Sequence, residues 1–144
     1  MQQQSDDKYF RKIEYVFYNE AEIRELVQEE KLRIIRHEIS GGSLSDPTAA
    51  QVLKDSTPVN VILIGKALLR YPEHWLEVVD LTKQWCEDCG DDFYQIMKRR
   101  YGLREEIKKT CANLSISADF YYKVVDKIKM HAALLAAYLH LISF

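Results

Sequence analysis

The chain is short of the residues that punctuate loops and of those that staple small folds. Its 144 residues include only 5 Gly, 3 Pro and 3 Cys. So little Gly and Pro excludes a collagen-like repeat and argues against a sandwich of many short strands or a long disordered tail. A small, odd cysteine count speaks against a disulfide framework and suits a reducing compartment. No apolar run approaches the roughly 18 to 20 residues that span a bilayer. The opening MQQQSDDKYF is polar and acidic, without the apolar stretch of a signal peptide. The expectation is a cytoplasmic protein with no membrane partner. What is present is 47% hydrophobic and 11% aromatic residues, enough to bury the core of one ordinary domain.

The net charge of −2 is unremarkable, but its distribution is uneven. Residues 1–40 carry 7 basic and 9 acidic side chains, and residues 41–92 carry 4 and 9. Residues 93–144 reverse the balance with 9 basic and 4 acidic, a local charge of +5. Lys98, Arg99, Arg100, Arg104, Lys108 and Lys109 fall within a dozen residues of that last third. A polyanion partner is expected there and nowhere else.

Hydrophobic periodicity is helical almost throughout, so the expected fold class is all-α. Residues 1–40 form a helical N-terminal arm of two helices that meet near Tyr18-Asn19, with Tyr9, Ile13, Val16 and Phe17 on the first and Ile23, Val27 and Ile34 on the second. Asn19 and Glu22 have capping-box spacing. Residues 41–58 read as a linker, with Asp46-Pro47 opening a short helix. The body is 59–144. Val59–Tyr71 has strand-like β-branching but no visible partner strand, so a buried helix is expected. Further helices are expected over Glu73–Asp88, over Phe93–Tyr101 behind an Asp91 or Asp92 cap, and over Arg104–Leu114. A long final helix starts at Ala118. On it Tyr121, Val124, Ile128, His131, Leu135, Tyr138 and Ile142 keep heptad spacing, as a core stripe or a dimer seam would.

Residues 104–128 have the parts of a helix-turn-helix. Cys111 is the small residue where two helices cross, and Leu114 and Ile116 are apolar pins under a short turn. Ser117 is the N-cap of the second helix, its hydroxyl near a phosphate of bound DNA. Val124 and Ile128 face inward. The basic block Lys98–Arg104 stands at the entry of the unit, where phosphate contacts position such domains.

With these pieces in order, the segment TCANLSIS followed by FYYKVVDKI resembles the helix-turn-helix of the RinA/ArpU family of phage late-transcription activators, whose C-terminal part is similar to region 4 of sigma factors. FYNEAEIREL, SGGSLSDPT, RRYGL and NLSIS occur in the family's order of arm, linker, basic helix end and turn. The likeness in layout covers most of the chain, and in residue detail about 93–130. The resemblance implies that Ser117 is the capping, phosphate-facing hydroxyl and that Lys123 and Lys127 are basic positions of the recognition helix. It implies that Tyr122 lies on a turn able to reach a groove. Ala118-Asp119-Phe120 and Asp126 depart from the family's polar or basic pattern, although Asp119 has the chemistry to accept from cytosine N4.

The expected interface with double-stranded DNA is therefore Arg99, Arg100, Arg104, Ser117, Ala118, Asp119, Tyr122, Lys123 and Lys127. Ala118–Lys127 would enter the major groove, and the arm would meet a second subunit or RNA polymerase. A homodimer is expected, because paired half-sites supply affinity that one module lacks. In a phage or prophage setting the host bacterial cytoplasm is the expected location.

The alternative is a protein-interaction module that keeps the helix-turn-helix as scaffold and works through its apolar last helix. Catalysis has little support, since GxSxG, Walker and HExxH patterns are absent. Cys86 and Cys89 form a CxxC at a helix end among carboxylates, which suits two half-buried thiols better than a redox or zinc site. His37, His74, His131 and His140 lack ligand spacing. No cofactor or metal is expected. The carboxylates of the arm, Glu14 and Glu30 among them, alternate with Arg24, Lys31, Arg33 and Arg36 and read as a solvated face.

Overall fold

The computed structural model describes residues 2–39 and 57–143. The expected short helix at Asp46 and nearly all of the 41–58 linker lie outside these residues. The described residues are mostly helical and carry one two-stranded sheet. Two compact units are formed, one from Met1–Glu20 with His74–Phe144 and the other from Ala21–Glu73. This division differs from the expected one, because the first helix of the arm belongs with the C-terminal body.

The elements are α1 (Gln2–Tyr18), α2 (Glu20–Ile39), β1 (Val61–Ile64), β2 (Ala67–Arg70), α3 (Pro72–Cys89), α4 (Asp91–Met97), a π-helical turn (Lys98–Gly102), α5 (Ile107–Leu114) and α6 (Ala118–Tyr138). The break between α1 and α2 falls where the sequence places it. Asn19, however, serves the helix it leaves: its backbone N–H and its Nδ2 both donate to the Tyr15 carbonyl, at 3.1 and 2.7 Å.

In the Ala21–Glu73 unit, Ile23, Val27, Lys31 and Ile35 form one buried stripe along α2. The buried Lys31 ammonium is neutralised by Glu73 at 2.6 Å, and the other Glu73 oxygen accepts from the Val59 N–H at 3.1 Å. The expected buried helix over Val59–Tyr71 is instead an antiparallel hairpin, Val61 opposite Arg70 and Ile64 opposite Ala67. Gly65 supplies the positive φ, 59°, that the first position of its two-residue turn requires. The partner strand was hidden because Ala-Leu-Leu-Arg carries no β-branched residue. Ile62, Ile64 and Leu69 are buried.

In the other unit α1 packs against α6 and the π-turn, and α5 packs against α6. Ile13, Val16 and Phe17 of α1 are buried, as are Val78, Val79, Thr82 and Cys86 of α3. Gly90 is the N-cap of α4 and makes no side-chain bond, so Asp91 and Asp92 act only as first-turn charges favoured by the helix dipole. Along α6 the buried residues are Tyr121, Val124, Val125, Ile128, Ala132, Ala133 and Ala136. This stripe follows the 3.6-residue period of a straight helix, so the heptad series leaves it and Tyr138 ends 81% exposed.

The turn between α5 and α6 sets two opposed predictions. Ser115 sits in the left-handed region at φ 54°, and the Ser117 Oγ accepts from the Phe120 N–H at 3.1 Å. Ser117→Ala is expected to lower unfolding free energy by about 1 kcal/mol through loss of the cap. Ser115→Gly is expected to raise it by roughly 0.5 to 1 kcal/mol by relieving the left-handed strain. Urea denaturation of both variants measures the difference in sign.

Candidate nucleic-acid interface

The α5 helix ends by local chemistry. The Ile116 N–H returns to the Cys111 carbonyl at 3.0 Å, while Ser115 turns the chain through its left-handed conformation. Ser117 then caps α6 as expected. The buried residue of α5 is Thr110, whereas Cys111 is only half-buried, so the threonine occupies the inner position expected of the cysteine. Its hydroxyl donates to Glu105 at 2.8 Å. Leu114 and Ile116 are half-buried at the turn.

Beyond the turn, the first turns of α6 separate cleanly into two faces. Tyr121, Val124, Val125 and Ile128 are buried, while Ala118, Asp119, Tyr122, Lys123, Asp126 and Lys127 are exposed. Five of the expected interface residues, Ala118, Asp119, Tyr122, Lys123 and Lys127, are thus brought together on one outward surface beside Ser117. The two carboxylates lie among the two ammonium groups, and Asp126 is drawn toward Lys129 at 3.7 Å.

The arginines are placed differently. Arg100 points inward, its side chain 17% exposed, and donates to Glu14 Oε2 at 3.1 and 2.9 Å and to the Tyr121 hydroxyl at 3.1 Å. The Tyr101 hydroxyl donates to the same Glu14 oxygen at 2.8 Å. Burial alone would raise the Glu14 carboxyl, but the hydrogen bonds from Tyr101 and Arg100, with the charges of Arg100 and Lys129, hold it below the usual range. Burial also opposes charge on Arg100, yet its bonds to Tyr121 and Glu14 keep it firmly protonated. Arg99 spans to Gln95 at 3.3 Å and Glu105 at 3.1 Å. Arg104 donates to the Tyr18 carbonyl at 2.9 Å and covers the Tyr18 ring.

The cause is the π-turn. Its Leu103 N–H bonds the Lys98 carbonyl at 3.0 Å, five residues back, and Tyr101 is buried between the rings of Phe17 and Tyr18 at 5.0 and 4.9 Å. Burying Tyr101 carries its neighbour Arg100 into the same wall. Sequence reasoning placed Glu14 on a solvated face and so missed this network. An i,i+3 pair of that kind does form between Glu30 and Arg33 at 2.6 Å. Exposed basic charge remains on Lys98, Arg104, Lys108, Lys109, Lys123 and Lys127.

The cysteines are free, with Cys86 buried and Cys89 exposed. Burial pushes the Cys86 thiol up to about 12, which removes the thiolate that redox chemistry needs. Brief iodoacetamide treatment at pH 8 is expected to label Cys89 at least tenfold faster than Cys86, as read by peptide mass spectrometry. His131 stacks on Trp85, centroids 4.2 Å apart and planes 6° from parallel. Among the described residues no cluster of His, Cys, Asp or Glu is arranged to hold a metal ion, and no helix is long and apolar enough to cross a membrane.

No family model, curated protein or solved structure matches the chain.

Proposed function

We propose that the protein is a DNA-binding transcription regulator of the phage or prophage type, a late-gene activator that enters the major groove with the N-terminal half of α6. The observation that carries the reading is the division of that helix behind a capped, three-residue turn. Its inner residues are fully committed to the core, and its outer residues Ala118, Asp119, Tyr122, Lys123 and Lys127 are all at the surface. Ser117 places its hydroxyl at the helix N-terminus, where backbone N–H groups favour a phosphate. Phosphate contact then falls to Lys123, Lys127, Lys98 and Arg104 rather than to Arg99 and Arg100, which hold the fold. The active species is a homodimer, and RNA polymerase is the further partner.

A second reading, a protein-interaction module, is favoured by Met130, Leu134 and Tyr138, which are 45%, 58% and 81% exposed further along α6. Asp119 and Asp126 on the outer face favour it too. Salt separates the readings, since counterion release makes phosphate binding fall steeply with ionic strength while an apolar seam is insensitive to it. The test is a titration of duplexes from upstream of the neighbouring genes at 50 and 200 mM salt. The activator reading expects a specific complex that weakens by about two orders of magnitude or more between the two salts. Absence of any specific complex with folded protein would refute it.

A further inference from the structure

We infer that the unit formed by α1, α3, α4, the π-turn, α5 and α6 holds a binding site for a small apolar zwitterion, a molecule with an aromatic or branched body and paired ammonium and carboxylate groups. The inference does not depend on DNA binding. A cavity of about 290 Å³ opens between α1, α3 and the α4–π segment. Its floor is Phe17, Val79, Cys86 and Met97, all buried apolar side chains. The pocket opens to solvent at one side, and it is roughly ten waters in volume with a floor that water solvates poorly. It is slightly smaller than the pockets that take drug-sized ligands, so the fitting body is a single ring or branched chain.

The mouth supplies the charge pattern. Glu20, Lys83, Glu87 and Lys98 line it, two of each sign. Glu20 and Lys83 are bonded to each other at 2.5 and 2.7 Å, and Lys98 lies over the Tyr94 ring. With Glu20 and Lys83 satisfied by each other, Glu87 and Lys98 are left to meet a ligand, one able to accept from an ammonium and the other to donate to a carboxylate, so a zwitterion gains from both and a singly charged molecule from one.

Gly102 also lines the mouth and leaves it open, since a Cβ built on it would meet no atom within 4 Å. It ends a π-turn, a distortion frequent at functional sites.

The test uses four probes with one phenyl ring and different charge, namely L-phenylalanine, phenylacetate, phenethylamine and benzyl alcohol, titrated into the full chain by calorimetry and saturation-transfer NMR. L-Phenylalanine is expected to bind one site with a Kd below about 1 mM, in keeping with the affinity a ligand of its size reaches. The singly charged and neutral probes should be at least fivefold weaker. Gly102→Phe fills the pocket from the mouth and Val79→Phe from the floor. Whichever retains a cooperative thermal transition should lose binding at least tenfold. No binding of any probe at 10 mM (roughly ten times that Kd), or undiminished binding in a folded filled variant, would overturn the site. Phenylacetate or phenethylamine binding as well as L-phenylalanine would overturn its zwitterion character.

Discussion

Glu14→Ala is expected to lower the unfolding free energy by about 2 to 4 kcal/mol and the melting temperature by roughly 10 °C. Glu14 lies on α1, four residues before Tyr18, and one of its oxygens accepts three hydrogen bonds, two from Arg100 and one from Tyr101. Arg100 in turn donates to Tyr121 in the first turn of α6. Removing the carboxylate leaves the Arg100 guanidinium, its side chain 17% exposed, and the Tyr101 phenol, its residue 5% exposed, without the charge that offsets their desolvation. The remaining exposure keeps the loss below that of a fully buried pair. Glu14→Gln keeps an acceptor and should cost less than half as much.

The same site gives a pH dependence with a definite sign. The Glu14 carboxyl is depressed in the folded state, so its contribution is fully present above the ordinary carboxylate value near 4.5. It is lost as pH falls through the lower, folded-state value. Melting temperatures between pH 7 and pH 3 should therefore fall more steeply for the wild type than for Glu14→Gln.

Much of the helical layout was legible because its signals are local. The α1–α2 break, the Ser117 cap, the α5–α6 turn and the inward Val124 and Ile128 each follow from residues within one or two turns of each other. The hairpin was not legible, since Ala67–Arg70 has helix-favouring residues and pairs only because Gly65-Lys66 turns the chain back. Nor was the fate of the basic block. Lys98, Arg99 and Arg100 look alike in sequence, but the π-turn buries Tyr101 and sends Arg100 to a carboxylate 86 residues away. Periodicity carries no information about a partner at that separation. The outward set on α6 was legible as a face, while the pocket beside Gly102 was not, because its walls come from three separate stretches of chain.

Lys123→Glu/Lys127→Glu is expected to weaken binding to a specific duplex by about a hundredfold or more at 100 mM salt. Both side chains are exposed on the outer face of α6, and reversing them places four carboxylates, with Asp119 and Asp126, on the face proposed to meet phosphates. Melting temperature should change by less than about 2 °C, since neither lysine touches the core. Arg100→Gln should behave in the opposite way, lowering stability strongly, because its guanidinium is spent on Glu14 and Tyr121.

The central claim, that the N-terminal half of α6 is the DNA-reading surface, is tested most directly by backbone amide shifts of the labelled chain during titration with a specific duplex. The account predicts the largest perturbations at Ser117–Lys127, with the α6 residues from Met130 to Tyr138 nearly unmoved. Perturbations confined to Met130–Tyr138, or none at Ser117–Lys127 with a bound duplex, would contradict it.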